Sequence, residues 1–340
     1  MFKGKNLLKA IEKTNLRGKS VLSMDVFSTR EELLGLFEVA EYLEPFARTG
    51  GLNLLSGKVM ATLAFEASTR TMIGFETSMQ LLGGSVTAQR NPMATTRMQG
   101  GETLKDTLKI LARYVHVIAM RHVEYEIATN AVVDAEVPIL TGGFGGYEHP
   151  FQACGDLFTT LRTIGKLENL TIFFPAPEIK SSRVAHSVAY GFAKFGGKII
   201  FATDKEGKAE KETVDRIKEL GGEFVEITDP TQKEIQDLST SSDIVYLPSW
   251  VRGLPDEKWP NTVEGKKKLL DKWGHYYIPL AYLEKAKAKG KMVYLMHPGT
   301  KTEIESDPKI DETEHSLYWE EVEFSLPARM AVILSVLYGT

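Results

Sequence analysis

Phe65-Glu66-Ala67-Ser68-Thr69-Arg70-Thr71 lies between an apolar run, Val59–Phe65, and a stretch, Thr71–Leu82, in which Phe75, Met79 and Leu82 fall on one helical face. The run reads as a strand and the stretch after it as an amphipathic helix. A strand, a tight turn and a helix in that order form the repeating unit of a parallel sheet covered by helices. The start of a helix exposes unpaired N–H groups and the positive end of the dipole. Hydroxyls and a guanidinium at that point make a cradle for an anion, and a phosphate suits it. The plainer reading makes Ser68 an N-cap and Arg70 a surface residue, so the surrounding sequence has to decide.

The same alternation continues on both sides. Upstream, Asn6–Glu12 and Thr29–Phe46 read as helices, the second with Leu33, Leu34, Phe37, Ala40 and Leu43 near helical spacing and Ser28 or Thr29 as its cap. Downstream, Ser85–Ala88, Val115–Met120 and Val137–Leu140 read as strands, and Glu102–Ala112 and Glu124–Asn130 as helices. Gln89–Gly101 reads as a long loop, and a Gly-rich run, Gly142–Gly146, follows the last strand. Pro150–Ile164 and the apolar Leu326–Tyr338 read as helices joining two halves. Between them, Leu170–Phe174, Lys198–Thr203, Glu223–Ile227, Asp243–Leu247 and Lys291–Met296 are strand candidates. Ser181–Phe195, Lys208–Leu220, Gln232–Leu238 and Leu280–Lys289 are helix candidates. The expected fold is α/β: two doubly wound parallel-sheet domains with helices on both faces, joined by helices. The first spans residues 1–150 and is completed by a C-terminal helix at about 320–340; the second spans 151–319.

The chain has 340 residues, enough for about two domains. Apolar residues make up 43% and charged residues 25%, the composition of a globular protein rather than a disordered one. A formal net charge of −4 offers no global field for nucleic acid or an anionic membrane, so any bound anion needs a local cluster. The single cysteine, Cys154, excludes an intrachain disulfide and a thiolate zinc site. No apolar run approaches the roughly 18 residues of a membrane span, and the N-terminal stretch is not of signal-peptide type. A cytoplasmic location is expected.

A dinucleotide fold would place G-x-G-x-x-G after the first strand of the second half, so that bare backbone reaches the pyrophosphate. The turn after Phe174 instead reads Pro175-Ala176-Pro177-Glu178-Ile179-Lys180, with no glycine and with an acid where phosphate would sit. Asp204 stands where a ribose carboxylate would, yet it reads equally as a plain strand-end residue. No G-x-x-x-x-G-K-[ST] occurs either.

Five ordered motifs carry a resemblance. Phe65–Val86, with Phe-Glu-Ala-Ser-Thr-Arg-Thr, Gly-Phe-Glu-Thr and Leu-Gly-Gly-Ser-Val, resembles the carbamoyl-phosphate motif of the aspartate/ornithine carbamoyltransferases, most closely their aspartate-using catalytic chains. Gly101-Glu102-Thr103-Leu104-Lys105-Asp106-Thr107 is similar to that family's helix after a mobile loop. Met120-Arg121-His122 matches its M-R-H, and Glu148-His149-Pro150-Phe151-Gln152-Ala153 its E-H-P-x-Q-A. Lys180-Ser181-Ser182-Arg183-Val184-Ala185-His186-Ser187 matches its K-x-x-R-x-x-H-S. Each motif alone is weak; their common order is specific.

The resemblance implies a carbamoyl-phosphate-binding first domain and an acceptor-binding second domain. Carbamoyl phosphate is a dianion carrying a planar amide. Ser68, Thr69, Arg70 and Thr71 would hold its phosphate and neighbouring oxygens, with Arg121 as a second guanidinium. His149 would donate to the carbonyl oxygen as it becomes an oxyanion, and Gln152 would accept from the NH2. The amine of the second substrate is the nucleophile, so no side-chain nucleophile, metal or cofactor is required, and Cys154 reads as packing. Positioning of two substrates and one preorganised oxyanion donor, the latter worth roughly 3 kcal/mol, would supply the rate. Lys180 and Arg183 would hold the acceptor, Arg183 on its carboxylate.

Three departures bear on the acceptor and the assembly. The family's loop before G-E-T carries a Ser and a Lys that enter the neighbouring subunit's site; here it reads Thr95-Thr96-Arg97-Met98-Gln99-Gly100, which leaves Arg97 as the candidate trans cation. Aspartate-using members carry T-R-x-Q after the strand that ends here at Leu247. This chain has Pro248-Ser249-Trp250-Val251-Arg252-Gly253, so Ser249, Trp250 and Arg252 become the candidates, with Trp250 equally readable as core. Where those members have H-P-L-P-R, this chain has His297-Pro298-Gly299-Thr300-Lys301, and Gly299 would have to supply a backbone carbonyl. Glu303 or Glu305 could bind a cationic acceptor, although solvated surface acids are the simpler reading. The resemblance thus implies a homotrimer with sites at subunit contacts, transferring a carbamoyl group to an amino acid. Aspartate leads, giving N-carbamoyl-aspartate for pyrimidine biosynthesis. The alternatives are an ornithine-like or other amine, or a paralogue that binds carbamoyl phosphate with little turnover.

Overall fold

The computed structural model describes residues 6–66, 68–250, 262–296 and 304–339. The chain divides into two compact units, Met1–Phe158 with Glu323–Thr340, and Thr159–Val322. The chain passes between them within the helices Pro150–Ile164 and Tyr318–Leu337.

The first unit holds four parallel strands: β1 (Val59–Ala64), β2 (Ser85–Arg90), β3 (Val117–His122) and β4 (Ile139–Phe144), in the order β2-β1-β3-β4. The chain moves outward from β1 to β2, then returns to the other side of β1 for β3 and β4. Right-handed crossovers place the connecting helices on opposite faces on the two sides of that reversal. Ala61, Leu63, Ile118, Met120, Ile139 and Phe144 pack with Leu104, Leu108, Ala128 and Val132 to fill one face. The upstream helix, Arg30–Leu43, starts as expected: Thr29 and Glu32 close a reciprocal capping box.

The second unit holds β5 (Thr171–Pro175), β6 (Lys198–Thr203), β7 (Glu223–Thr228), β8 (Ile244–Tyr246) and β9 (Tyr294–Met296), all parallel, in the order β7-β6-β5-β8-β9. Its reversal lies between β5 and β8. The helix Arg183–Ala193 is buried at every position, which explains why its apolar residues run all round it rather than along one stripe.

Three expectations require correction, and one element has no counterpart among the expectations. The segment Gln89–Gly101 is not an open loop: β2 runs on to Arg90, and the turns Pro92–Thr95 and Arg97–Gly100 follow. The glycines Gly142 and Gly143 belong to β4 rather than to a loop after it. Val263–Trp273, which carries no clear periodicity and belongs to no expected element, is a helix. The C-terminal helix begins at Tyr318 rather than Leu326 and contains Pro327.

That last helix supplies a fully buried face, Ala328, Met330, Ala331, Ile333 and Leu334 among others, to the first unit. Gly74 lets it approach: any side chain at that position would run into the Arg329 guanidinium, which lies over the Phe75 ring at 5.6 Å.

Candidate active site

In open α/β sheets, ligands bind beyond the carboxyl ends of the strands where the strand order reverses. In the first unit that place is between β1 and β3. Ser68 is the N-cap of the helix Thr69–Leu81, in an extended conformation, and its hydroxyl makes no bond to its own helix. The first turn carries no acid, so no carboxylate of the helix itself competes for the exposed N–H groups there. Thr69 is exposed, Arg70 half-buried and Thr71 buried. A cavity of about 500 Å³ reaches this turn from the side of Ile73, Arg90 and Asn91, with Ser68 and Thr69 in its wall.

Thr71 and His149 meet directly, with Oγ1 3.3 Å from Nε2. The ring's other nitrogen, Nδ1, faces the backbone N–H of Gln152 at 3.4 Å. That N–H also donates to the His149 carbonyl at 3.0 Å; since it can only donate, the neutral tautomer that fits the contact has Nδ1 as acceptor and the proton on Nε2. His149 therefore presents a donor on the Thr71 side. Gly142 of β4 makes this convergence possible: a Cβ there would lie 2.9 Å from Thr71 Cγ2 and 3.3 Å from Arg121 Cβ.

Arg121 is part of β3 rather than a residue beyond it, and is buried. Its Nε and Nη2 donate to Glu66 Oε2 and Oε1 at 3.1 and 2.9 Å, and its Nη1 to the Gly142 carbonyl at 3.1 Å. Gln152 is buried one turn after His149 and donates through Nε2 to Asp156 Oδ1 at 3.0 Å. Cys154 is buried, and burial first, then the negative charge of Asp156, pushes its thiol far up, so it is packing and not a nucleophile.

In the second unit the reversal lies between β5 and β8, and the two segments singled out in the sequence follow those strands. After β5, Glu178 accepts from the Ser181 N–H and hydroxyl at 2.6 and 2.8 Å. Lys180 is exposed, and Arg183 is buried as the first residue of its helix. After β8, Ser249 is held at φ +86°, a conformation a serine rarely adopts. Trp250, 1% exposed, packs edge-on against Tyr276 at 6.2 Å. Its backbone N–H donates to Glu305 at 2.6 Å, while its indole Nε1 has no hydrogen-bond partner among the described residues. Asp204 is fully engaged, accepting from Tyr276 OH at 2.7 Å and Trp273 Nε1 at 2.8 Å. Those bonds are the work of a strand-end anchor and not of a ribose site.

Residues 19–162 match the carbamoyl-P binding domain of the aspartate/ornithine carbamoyltransferases, and residues 176–336 match the Asp/Orn binding domain of the same proteins. The chain belongs to the aspartate/ornithine carbamoyltransferase family. It is 34% identical to a ureidoglycine carbamoyltransferase of Rubrobacter xylanophilus over 98% of this chain and 95% of that one. It is 31% identical to an aspartate carbamoyltransferase catalytic subunit of Methanothrix thermoacetophila over 95% and 99%. The Trypanosoma cruzi aspartate transcarbamoylase solved with aspartate and phosphate superposes with a TM-score of 0.81 at 25% identity, over 96% of this chain and 97% of that one. The two-domain fold is thus that of the carbamoyltransferases, and the chain is one of them.

Within this carbamoyltransferase, Thr71 and His149 are in contact, and Thr71 and Arg121 both pack at Gly142. Arg97 is exposed on its turn and makes no ion pair among the described residues. Arg252 and Gly299, with Lys301 and Glu303, lie outside the described residues. Glu305 is not a surface acid: it is 0% exposed, because its carboxylate turns inward to the Trp250 N–H. Glu66, Gly142 and Asp156 were missed as contributors to the site. Asp156 alone had a readable signal, its i,i+4 spacing from Gln152 on one helix. Among the described residues no group of three or more His, Cys, Asp and Glu is placed to hold a metal ion, and no helix is long and apolar enough to cross a membrane.

Proposed function

We propose that this carbamoyltransferase moves the carbamoyl group of carbamoyl phosphate to the amine of an amino acid with a single carboxylate and an uncharged side chain, of which ureidoglycine is the leading case. The contact between Thr71 and His149 at a helix start free of acids carries the donor half of this reading. Ser68 to Thr71 and Arg121 bind the phosphate. His149 Nε2–H donates to the carbonyl oxygen, and Gln152 accepts from the NH2. The amine nitrogen attacks the carbamoyl carbon, and charge gathers on an oxygen that His149 and Thr71 already face. The C–O bond to phosphate then breaks, and the departing phosphate takes the amine proton.

For the acceptor, Arg183 holds the α-carboxylate, with Lys180 nearby in sequence. The segment after β8 offers Ser249 and the neutral indole N–H of Trp250 where aspartate-using relatives carry a guanidinium. A carboxylate desolvated there without a cation forgoes a charge-assisted bond of roughly 1.5–3 kcal/mol. At about 1.4 kcal/mol per decade, aspartate becomes roughly a ten- to hundredfold poorer acceptor. The name of the Rubrobacter relative supports the same direction. The proposal includes a cytoplasmic homotrimer in which Arg97 reaches a neighbour's site; mixing Arg70→Ala and Arg97→Ala chains should then restore part of the activity.

The test is phosphate release from carbamoyl phosphate with aspartate, ornithine and neutral-side-chain amino acids as acceptors. The ureidoglycine arm is run in reverse, from the diureido acid and phosphate, because a carbon bearing both an amine and a ureido nitrogen sheds ammonia. A submillimolar KM for aspartate with the best kcat/KM of the panel would overturn the acceptor assignment and place the enzyme in pyrimidine synthesis. Carbamoyl phosphate binding without turnover on any acceptor would make it a binding paralogue.

A further inference from the structure

Two groups on the first turns of the helix Pro150–Ile164 have their hydrogen-bond polarity set by neighbours and not by themselves. His149 is one, through the Gln152 N–H at Nδ1. Gln152 is the other. A glutamine amide is nearly symmetric in shape but opposite in polarity at its two ends, an acceptor oxygen and a donor NH2. Left alone in a site, it can present either. Here Nε2 donates to Asp156 Oδ1 at 3.0 Å. Asp156 is 0% exposed and sits one helical turn further on, so the pair is held by the helix itself. A carboxylate accepts and does not donate. Asp156 therefore takes the NH2 end and turns Gln152 Oε1 away from itself.

We propose that Asp156 is a positioning residue that makes the site selective for a carbamoyl donor over an acyl donor, by holding the Gln152 carbonyl oxygen toward the NH2 of the substrate. The inference rests on the assignment of carbamoyl phosphate as donor. Carbamoyl and acetyl phosphate share charge, size and phosphate chemistry; they differ in NH2 against CH3. Only the first can donate to Gln152 Oε1. With the amide turned round, NH2 would face NH2 and the preference would vanish, while the phosphate contacts at Ser68–Thr71 and Arg121 would be unchanged. The polarity of one amide, set by a residue that touches no substrate, thus decides which mixed anhydride of phosphate is used.

The experiment is calorimetric binding of carbamoyl phosphate, acetyl phosphate and inorganic phosphate to the intact wild-type protein and to Asp156→Ala and Asp156→Asn. The wild type should prefer carbamoyl over acetyl phosphate. Asp156→Ala should bind carbamoyl phosphate about tenfold more weakly and the other two within about twofold of wild type. Asp156→Asn should keep most of the preference, because its carbonyl oxygen can accept the same amide. Should the alanine chain not fold, Asp156→Leu, which keeps the branching of the native side chain but has no acceptor, takes its place with the same expectation. Equal weakening of all three ligands would make Asp156 a structural residue and overturn the inference. So would an unchanged preference in a folded variant lacking the acceptor, or a preference lost in Asp156→Asn. A wild type that does not distinguish carbamoyl from acetyl phosphate would instead overturn the assignment of the donor.

Discussion

Glu66 grips Arg121 through both carboxylate oxygens, one on Nε at 3.1 Å and one on Nη2 at 2.9 Å. Arg121 is buried while Glu66 is about one-third exposed at its side chain, so the pair sits at the edge of the candidate anion site with the acid on the wet side. A phosphate arriving at Arg121 must share the guanidinium with that acid or displace it. Glu66→Gln should tighten inorganic phosphate binding about three- to tenfold by removing a like charge from the site. Titration calorimetry checks this; an unchanged or weaker Kd would mean that Glu66 leaves Arg121 when the anion binds and serves the site elsewhere.

His149 carries its proton on Nε2, facing Thr71. If that donor meets the developing oxyanion, His149→Ala should lower kcat by about 10² to 10³ and change phosphate affinity far less. Nitrogen NMR of the imidazole should show an unprotonated Nδ1. A protonated Nδ1 would reverse the assigned roles of the two ring nitrogens.

Trp250 buries an indole N–H without a partner among the described residues. A buried donor left unpaired costs about 1–3 kcal/mol, so removing it should not weaken the free protein. Trp250→Phe should melt at or above the wild-type temperature, raise the acceptor KM, and leave carbamoyl phosphate binding unchanged. A lower melting temperature with unchanged acceptor kinetics would mark Trp250 as core alone.

Tyr276 donates to Asp204, and burial first, then that bond, pushes its hydroxyl well above the usual tyrosine range. Its unfolded value is near 10. Above about pH 10 the unfolded chain releases this proton and the folded chain keeps it, so the unfolded state binds fewer protons and stability falls as pH rises. Burial of Tyr277 acts in the same sense. Tyr276→Phe should flatten part of this alkaline loss while costing about 1–3 kcal/mol at neutral pH, where Asp204 loses a donor. Denaturant unfolding between pH 8 and 11 measures both.

The readable parts of this protein were those where one physical signal acts locally. The strand before Ser68 and the helix after it show in their periodicities, and the helix start shows in its hydroxyls. The unreadable parts were set by distant neighbours. Glycine disfavours strands, yet Gly142 is in β4 because Thr71 and Arg121 leave no room for a Cβ. Glu305 looks like any loop acid until the chain returns it to the Trp250 N–H. Val263–Trp273 buries only Leu269 and Trp273, too few apolar positions to define a face. In the candidate site, the motifs singled out Thr71, Arg121, His149 and Gln152, but the acids bonded to two of them, Glu66 and Asp156, show only as bonds in the folded chain.

The first unit is made of two pieces separated by the whole of the second. During synthesis, every residue of the second unit leaves the ribosome before the helix that completes the first. The anion-binding unit must therefore wait, with the seat beside Gly74 uncovered, while about half the chain is made. Its last buried face runs on to Leu337, the far end of that helix. Cutting the chain back from Leu337 to Ala328 should thus damage the unit whose strands are made first, and spare the one made just before the helix.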